Sequence, residues 1–243
     1  MEIFFIQMLF IVCVSEQIGK HVYPTIRATW PEAQQYCRDH HTDLTPITTP
    51  WEEESLKNAS IGKLSGYFFV GLYKNGRTWM WSGGGKATYL PWAGGQLYNF
   101  VLETVAVVCL PSCTNGWHNA YPIQSSHFLC FNLIVSEYKA TWEQSMLHCK
   151  QNHTALTSLT SETEHLLTLR EIKHDNITER VWIGLRYLGD HWLWVNGDPL
   201  QYEAWPQGDQ DHQCPIYKRC GALTKGGLWE NWDCKEKLNF ICY

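Results

Sequence analysis

Apolar positions along this chain follow two periods, and both are written twice. Val181-Trp182-Ile183-Gly184-Leu185 is an unbroken apolar run, followed by the polar stretch 186–191 and then Trp192-Leu193-Trp194. This reads as a buried strand, a polar turn and a second strand with an alternating aromatic face, since β-branched and aromatic residues suit a half-buried pleated surface. Gly184 leaves room for another backbone to approach. The same phrase stands earlier as Phe68-Phe69-Val70-Gly71-Leu72 and Trp79-Met80-Trp81. The helical period behaves likewise. After a short strand over 21–27, Thr29-Trp30-Pro31-Glu32 opens a helix: Thr29 can cap, Glu32 lies three residues on, and Pro31 is tolerated in a first turn. Its inward stripe is Trp30, Ala33, Tyr36 and Cys37. Thr141-Trp142-Glu143-Gln144, with Ser145 and Cys149, repeats it. Second helices start at Thr49-Pro50-Trp51-Glu52 and Ser161-Glu162-Thr163-Glu164, where acidic first turns suit the helix dipole.

These pairs share an offset of about 112 positions: Trp30 and Trp142, Cys37 and Cys149, Trp92 and Trp205, Cys109 and Cys220, Trp117 and Trp229, Cys130 and Cys242. Such an offset marks a duplicated domain rather than a short-period solenoid. The 243 residues then divide into a leader over 1–15, a first domain over 16–130 and a second over 131–243, with essentially no linker. Each copy carries a long, Gly-rich, weakly periodic stretch, 82–101 and 196–219, and loops of that length are usually functional.

Composition narrows the function. The formal net charge is −5 and no basic block stands out, which excludes phosphate-driven nucleic-acid binding. The apolar run over 3–14 is too short to span a bilayer and fits a signal-peptide core, with cleavage before Glu16; no other run is long enough for a stable membrane span. The expected location is secreted and extracellular. Ten cysteines at repeat-related places suit an oxidising compartment, as do the glycosylation acceptors Asn58, Asn152 and Asn176. Most of the 13 tryptophans recur at equivalent positions and read as core. There is no His-Glu-x-x-His, Gly-x-Ser-x-Gly, phosphate loop or Cys-x-x-Cys, so no enzyme is expected and no catalytic residue is assigned.

With these residues assembled, each copy resembles a C-type lectin-like domain. The carriers are the Thr-Trp-x-x-Ala/Ser-x-x-x-Cys helix, the Val/Ile-Gly-Leu strand, the Trp-x-Trp strand, the Trp opening the long loop and the paired Cys near the end. The resemblance implies an α+β fold in tandem: two helices, a small antiparallel sheet and a long loop per domain. It implies the disulfides Cys37–Cys130, Cys149–Cys242 and Cys220–Cys234. In the first copy Pro122 replaces one family cysteine, so a local Cys109–Cys113 bridge is expected, and Cys214 is left over. Sugar-binding members hold calcium between two triplets of oxygen donors, because the ion needs six to eight oxygens and sugar hydroxyls complete its shell. The second copy offers Asp209, Asp211, Glu230 and Asn231 at those places. Gln210 stands where a cis proline is usual, and a cis bond there costs about 2.5–4 kcal/mol; Lys218 stands where a glutamate is usual. The first copy offers only Gln96 and Asn119, and no calcium is expected there. Two readings follow: a carbohydrate-binding lectin, calcium-assisted through the second domain, or a calcium-independent protein-interaction module using the long-loop surfaces. The partner is a glycan or an extracellular protein; the oligomeric state is left open.

Overall fold

The computed structural model describes residues 15–95, 102–111 and 116–243. The first copy runs β1 (Ser15–Ile18), β2 (His21–Pro24), α1 (Trp30–His40), β3 (Asp43–Leu44), α2 (Pro50–Ser60), β4 (Gly66–Asn75), β5 (Thr78–Trp81), β6 (Val105–Leu110), β7 (His118–Ala120), β8 (His127–Phe128) and β9 (Cys130–Phe131). The second runs β10 (Ile134–Val135), α3 (Trp142–Asn152), α4 (Glu162–Ile172), β11 (Arg180–Leu188), β12 (His191–Trp194), β13 (Cys220–Thr224), β14 (Trp229–Trp232) and β15 (Asn239–Cys242). The sheets have the orders β5-β4-β6-β7 and β10-β15-β11-β13-β14, with β8 and β12 joining β4 and β11, and a small sheet β1-β2-β9-β3. This is two α+β domains in tandem. No helix among the described residues is long and apolar enough to cross a membrane.

The helix starts follow their capping residues. Thr29 and Glu32 form a reciprocal capping box on α1, and Thr141 and Gln144 do so on α3. Each first helix buries its tryptophan, and each indole N–H donates to a carbonyl of the central strand: Trp30 Nε1 to Val70 O and Trp142 Nε1 to Ile183 O, both 2.9 Å. A disulfide then ties each first helix to that copy's closing strand. Cys37 joins Cys130 and Cys149 joins Cys242, each with Cα atoms 5.3 Å apart in space and 93 positions apart in the chain. Cys220 joins Cys234 across 14 residues. In the chain-entropy picture, closing loops of these sizes contributes about 3–5 kcal/mol each. Cys109 is also disulfide-bonded; Cys113, its expected partner, lies outside the described residues.

Strand register corrects two expectations. The stretch 186–191 is not all turn: β11 runs on to Leu188, and only Gly189 and Asp190 turn, both at positive φ (56° and 67°), which is the backbone that a two-residue hairpin requires. Cys109 is not the register equivalent of Cys220. Tyr73 pairs with Val105 as its counterpart Arg186 pairs with Cys220, whereas Cys109 sits opposite Tyr67, as Thr224 sits opposite Arg180. Val105 therefore occupies the place of Cys220: the first copy has two residues fewer between Trp92 and Val105 than the second has between Trp205 and Cys220, and three more between Val105 and Ala120 than the second has between Cys220 and Trp232.

The copies are joined intimately. Phe131 pairs with His21 and Asp43 in the first copy's sheet, while its ring lies in the second copy's core with Leu133 and Leu159. Helix α4 packs on the 82–85 turn: a Cβ at Gly83 would come within 2.6 Å of the Leu167 side chain, and Thr163 donates to Gly84 O. Between them sits a buried ionic cluster. Lys20 Nζ lies 3.2 Å from Glu164 Oε1 and from Asp198 Oδ2. Burial penalises the Lys20 ammonium, but Glu164 and Asp198 more than offset that and raise its pKa. Thr160 Oγ1 lies 2.5 Å from Glu52 Oε1 and 2.9 Å from Glu164 Oε2. A hydroxyl owns one proton and can donate it to only one of these carboxylates. Burial, with Glu52 adding to it and Lys20 opposing, accordingly holds Glu164 above the usual carboxylate range.

Two predictions follow from this packing. A Cβ at Gly184 would meet Leu156 O at 2.7 Å and Thr157 O at 3.0 Å, and one at Gly71 would meet Leu44 O at 3.0 Å. Both obstacles are backbone, so Gly184→Ala should destabilise by about 1–3 kcal/mol and Gly71→Ala by less, read as the shift in urea midpoint. His21 bonds Thr45 Oγ1 at 3.2 Å, and burial first, then Lys20, pushes its pKa down to about 3. The folded chain keeps it neutral while the unfolded chain takes up a proton below about 6.5. The stability it contributes is complete above that pH and is lost as the pH falls toward about 3, by up to about 1.4 kcal/mol per pH unit. Urea unfolding between pH 7 and pH 4 should show this slope, and His21→Gln should flatten it.

Candidate functional site

The four oxygen donors singled out in the second copy stand on two elements. Asp209 and Asp211 lie in the loop after Trp205, and Glu230 and Asn231 lie on β14. The loop is shaped by aromatic packing: the His212 ring stacks on Trp205 at 4.5 Å and 8°, and Trp192 Nε1 donates to His212 O at 2.8 Å. Within the loop, Asp209 Oδ1 accepts from the Asp211 backbone N–H at 2.9 Å, and its Oδ2 pairs with His212 Nδ1 at 3.1 Å. The one cis peptide among the described residues is Leu110–Pro111, so both bonds flanking Gln210 are trans.

Two of the four donors, Asp209 and Glu230, already have partners for their carboxylates inside the protein. Glu230 is ion-paired with Arg180, which extends from the start of β11. The Arg180 guanidinium also lies over the Trp232 ring at 4.3 Å, and Lys218 Nζ lies over the same ring at 4.9 Å. Asn231 Nδ2 reaches the Asp211 carbonyl at 3.4 Å, so its amide bridges the two elements. Among the described residues, the one group of three His, Cys, Asp or Glu whose ligand atoms lie within 4.8 Å of one another is Glu143 with Cys220 and Cys234, and those sulfurs form a disulfide. Asp209, Asp211 and Glu230 do not come together in that way. A hard divalent cation needs several unshared anionic oxygens on a common centre. Two cations beside Trp232, one of them the Arg180 guanidinium paired with Glu230, do not fit calcium.

The face carries a different chemistry. Ile216 is 72% exposed and Tyr217 84% exposed, directly before Lys218 and Arg219, and Arg219 lies 5.9 Å from the Tyr187 ring. Of these residue types, Tyr, Trp and Arg are the ones enriched at protein–protein interfaces. In the sequence Lys218 stands out only as a replacement for the usual glutamate. Arg180, whose partner is 50 residues away on another strand, and Trp232 do not stand out there at all. Cys214 is exposed and its thiol is free.

In the first copy, Gln96 lies outside the described residues. Asn119 stands on β7, and its amide donates to Glu103 Oε2 at 2.6 Å. Sequence reasoning found no carboxylate at this end of the first copy; Glu103 supplies one from just before β6. His118 packs edge-on against Tyr67, centroids 5.3 Å apart. The acceptors Asn58, Asn152 and Asn176 are all exposed.

A family model described as the Lectin C-type domain matches residues 26–130 and 138–243. Killer cell lectin-like receptor subfamily G member 2 of Mus musculus is 32% identical over 147 residues, covering 57% of this chain and 33% of that protein. The C-type lectin lectoxin-Lio1 of Erythrolamprus poecilogyrus is 29% identical over 157 residues, covering 59% of this chain and 91% of its own. The secretory phospholipase A2 receptor of Homo sapiens is 25% identical over 267 residues, covering 93% of this chain and 18% of the receptor. The chain thus spans a third or less of the two receptors. Among solved structures, human lithostathine aligns with 45% of this chain and 80% of its own at 26% identity and a TM-score of 0.40. The chain belongs to the C-type lectin domain family and carries that domain twice.

Proposed function

We propose that this chain is a secreted extracellular recognition module whose second domain binds a protein ligand without calcium. The observation that carries the reading is Arg180. Its ion pair with Glu230 uses the carboxylate that a calcium-assisted sugar site would need, and with Lys218 it places two cations on Trp232. The contact surface is Ile216, Tyr217, Lys218, Arg219 and the Trp232 edge. Tyr, Trp and Arg contribute disproportionately to protein–protein affinity. The basic rim steers an acidic partner surface toward it. A relative named for a protein ligand, the secretory phospholipase A2 receptor, aligns with most of this chain and supports the same direction. The exposed Asn58, Asn152 and Asn176 carry glycans in this reading, and no chemistry beyond binding is assigned.

The competing reading is a calcium-assisted carbohydrate site on Asp209, Asp211, Glu230 and Asn231, and calcium titration of the whole chain separates the two. An extracellular site with a dissociation constant of about 10⁻⁴–10⁻³ M would add roughly 1.4–2.7 kcal/mol of stability at about 10 mM calcium. We expect the thermal midpoint in calcium to equal that in chelator, with no binding heat. A calcium-dependent rise that Glu230→Gln removes would establish the carbohydrate reading instead.

A further inference from the structure

We propose that the inner disulfide of the second domain, Cys220–Cys234, is a site of exchange with small-molecule thiols: an entering thiolate attacks Cys234, and Cys220 departs beside the Arg186 guanidinium. Strand register places the cation. Arg186 on β11 lies directly opposite Cys220 on β13, and its Nη1 donates to both sulfurs, 2.6 Å from Cys234 Sγ. Two further contacts hold the guanidinium there: the Trp142 ring, 5.0 Å away, and Glu143 Oε1, 3.2 Å away. Glu143 draws on the same charge, but its side chain is 53% exposed, so water screens that pair. The thiolate is the species that attacks and the species that leaves, and a neighbouring Arg stabilises it.

Access and topology single out the same bridge. The four cysteines of the outer disulfides are each 1% exposed or less, whereas Cys234 is only partly buried. Cys220 is fully buried, which makes Cys234 the sulfur that an entering thiolate reaches. The inner bridge closes 14 positions rather than 93, so it constrains the unfolded chain less and its opening costs the fold less. The twin stands without it. There Tyr73 and Val105 take the places of Arg186 and Cys220, so cation and sulfur are missing together, and β6 and β7 still pair. In the exchange, a bond forms from the entering sulfur to Cys234 Sγ as the Sγ–Sγ bond breaks, and the electron pair leaves on Cys220. A second thiol then takes the entering sulfur away as a small disulfide and frees Cys234. Two thiols are oxidised to one disulfide, and Cys220–Cys234 is reduced to two thiols. Opening the bridge parts the start of β13, with Lys218 and Arg219 just before it, from the end of β14, while Cys149–Cys242 keeps the domain closed.

The exchange does not depend on which ligand the second domain binds, and the calcium titration reads out separately from it. The full chain, with the exposed Cys214 thiol first blocked by N-ethylmaleimide, is incubated in reduced glutathione without denaturant, quenched in acid, alkylated and mapped by peptide mass spectrometry. Cys220 and Cys234 should become alkylated while Cys37, Cys130, Cys149 and Cys242 stay bridged, and the transient glutathione adduct should sit on Cys234. Arg186→Gln should slow the exchange by roughly tenfold, through the lost stabilisation of the leaving thiolate, and Arg186→Lys, which keeps the charge, should restore most of the rate. A variant that merely loosened the fold would be reduced faster, so slowing reads the charge and not the packing. Should circular dichroism show Arg186→Gln unfolded, the order of reduction and the position of the adduct in the unaltered chain decide alone. Reduction of Cys220–Cys234 no sooner than the outer bridges, an adduct on Cys220, or a rate that Arg186→Gln leaves unchanged or raises, overturns the proposal.

Discussion

Each copy is closed on itself twice over: by a sulfur bridge spanning 93 residues, and by an indole N–H donated to the central strand. These two constraints act on the same elements, the first helix, the central strand and the closing strand. They remove loop entropy from the unfolded chain and satisfy a buried carbonyl that would otherwise be costly. With that frame fixed, the region between β6 and β7, or β13 and β14, is free to vary. The second copy retains an inner disulfide there and stacks cations on Trp232. The first copy has Val105 and Pro122 at those two cysteine positions and Ala120 in place of the tryptophan, and its disulfide-bonded cysteine, Cys109, sits at another register. The functional contrast between the twins rests on a frame that neither can lose.

The interface between the copies works on a different principle. Glu52 and Glu164 occupy equivalent positions, and each carboxylate accepts from the backbone and hydroxyl of the threonine four residues before it. Fusion brings the pair close enough to share the single hydroxyl proton of Thr160. Lys20, at the entry of the first copy, answers two of the carboxylates, Glu164 and Asp198, and breaks the equivalence. Buried charge of this kind adds little net stability against an apolar alternative, but removing one partner alone is costly. Its effect is to fix one arrangement of the two domains.

Much of this was legible in the sequence because it is local or repeated. The helix starts follow from Thr29, Thr49, Thr141 and Ser161, the buried stripes from spacing, and the duplication from tryptophans and cysteines that recur at one offset. The outer disulfides were legible through the family resemblance. What escaped is long-range or depends on register. Linear alignment set Cys109 against Cys220, and only the Tyr73–Val105 pairing places it elsewhere. Glu230 read as a ligand because nothing near it in the chain announces Arg180. Val105 and Ala120 escaped for the same reason: a valine and an alanine carry no signal until the twin shows what fills their places.

Phe131 belongs to both domains at once. Its backbone is hydrogen-bonded into one domain's sheet while its ring is packed among the other's aliphatic side chains. Cutting the chain on either side of it would leave one half with an unpaired strand edge or the other with a vacated hollow. The gene fusion thus produced more than two beads on a string: neither bead has a complete surface of its own, and the pair is expected to melt as one cooperative body.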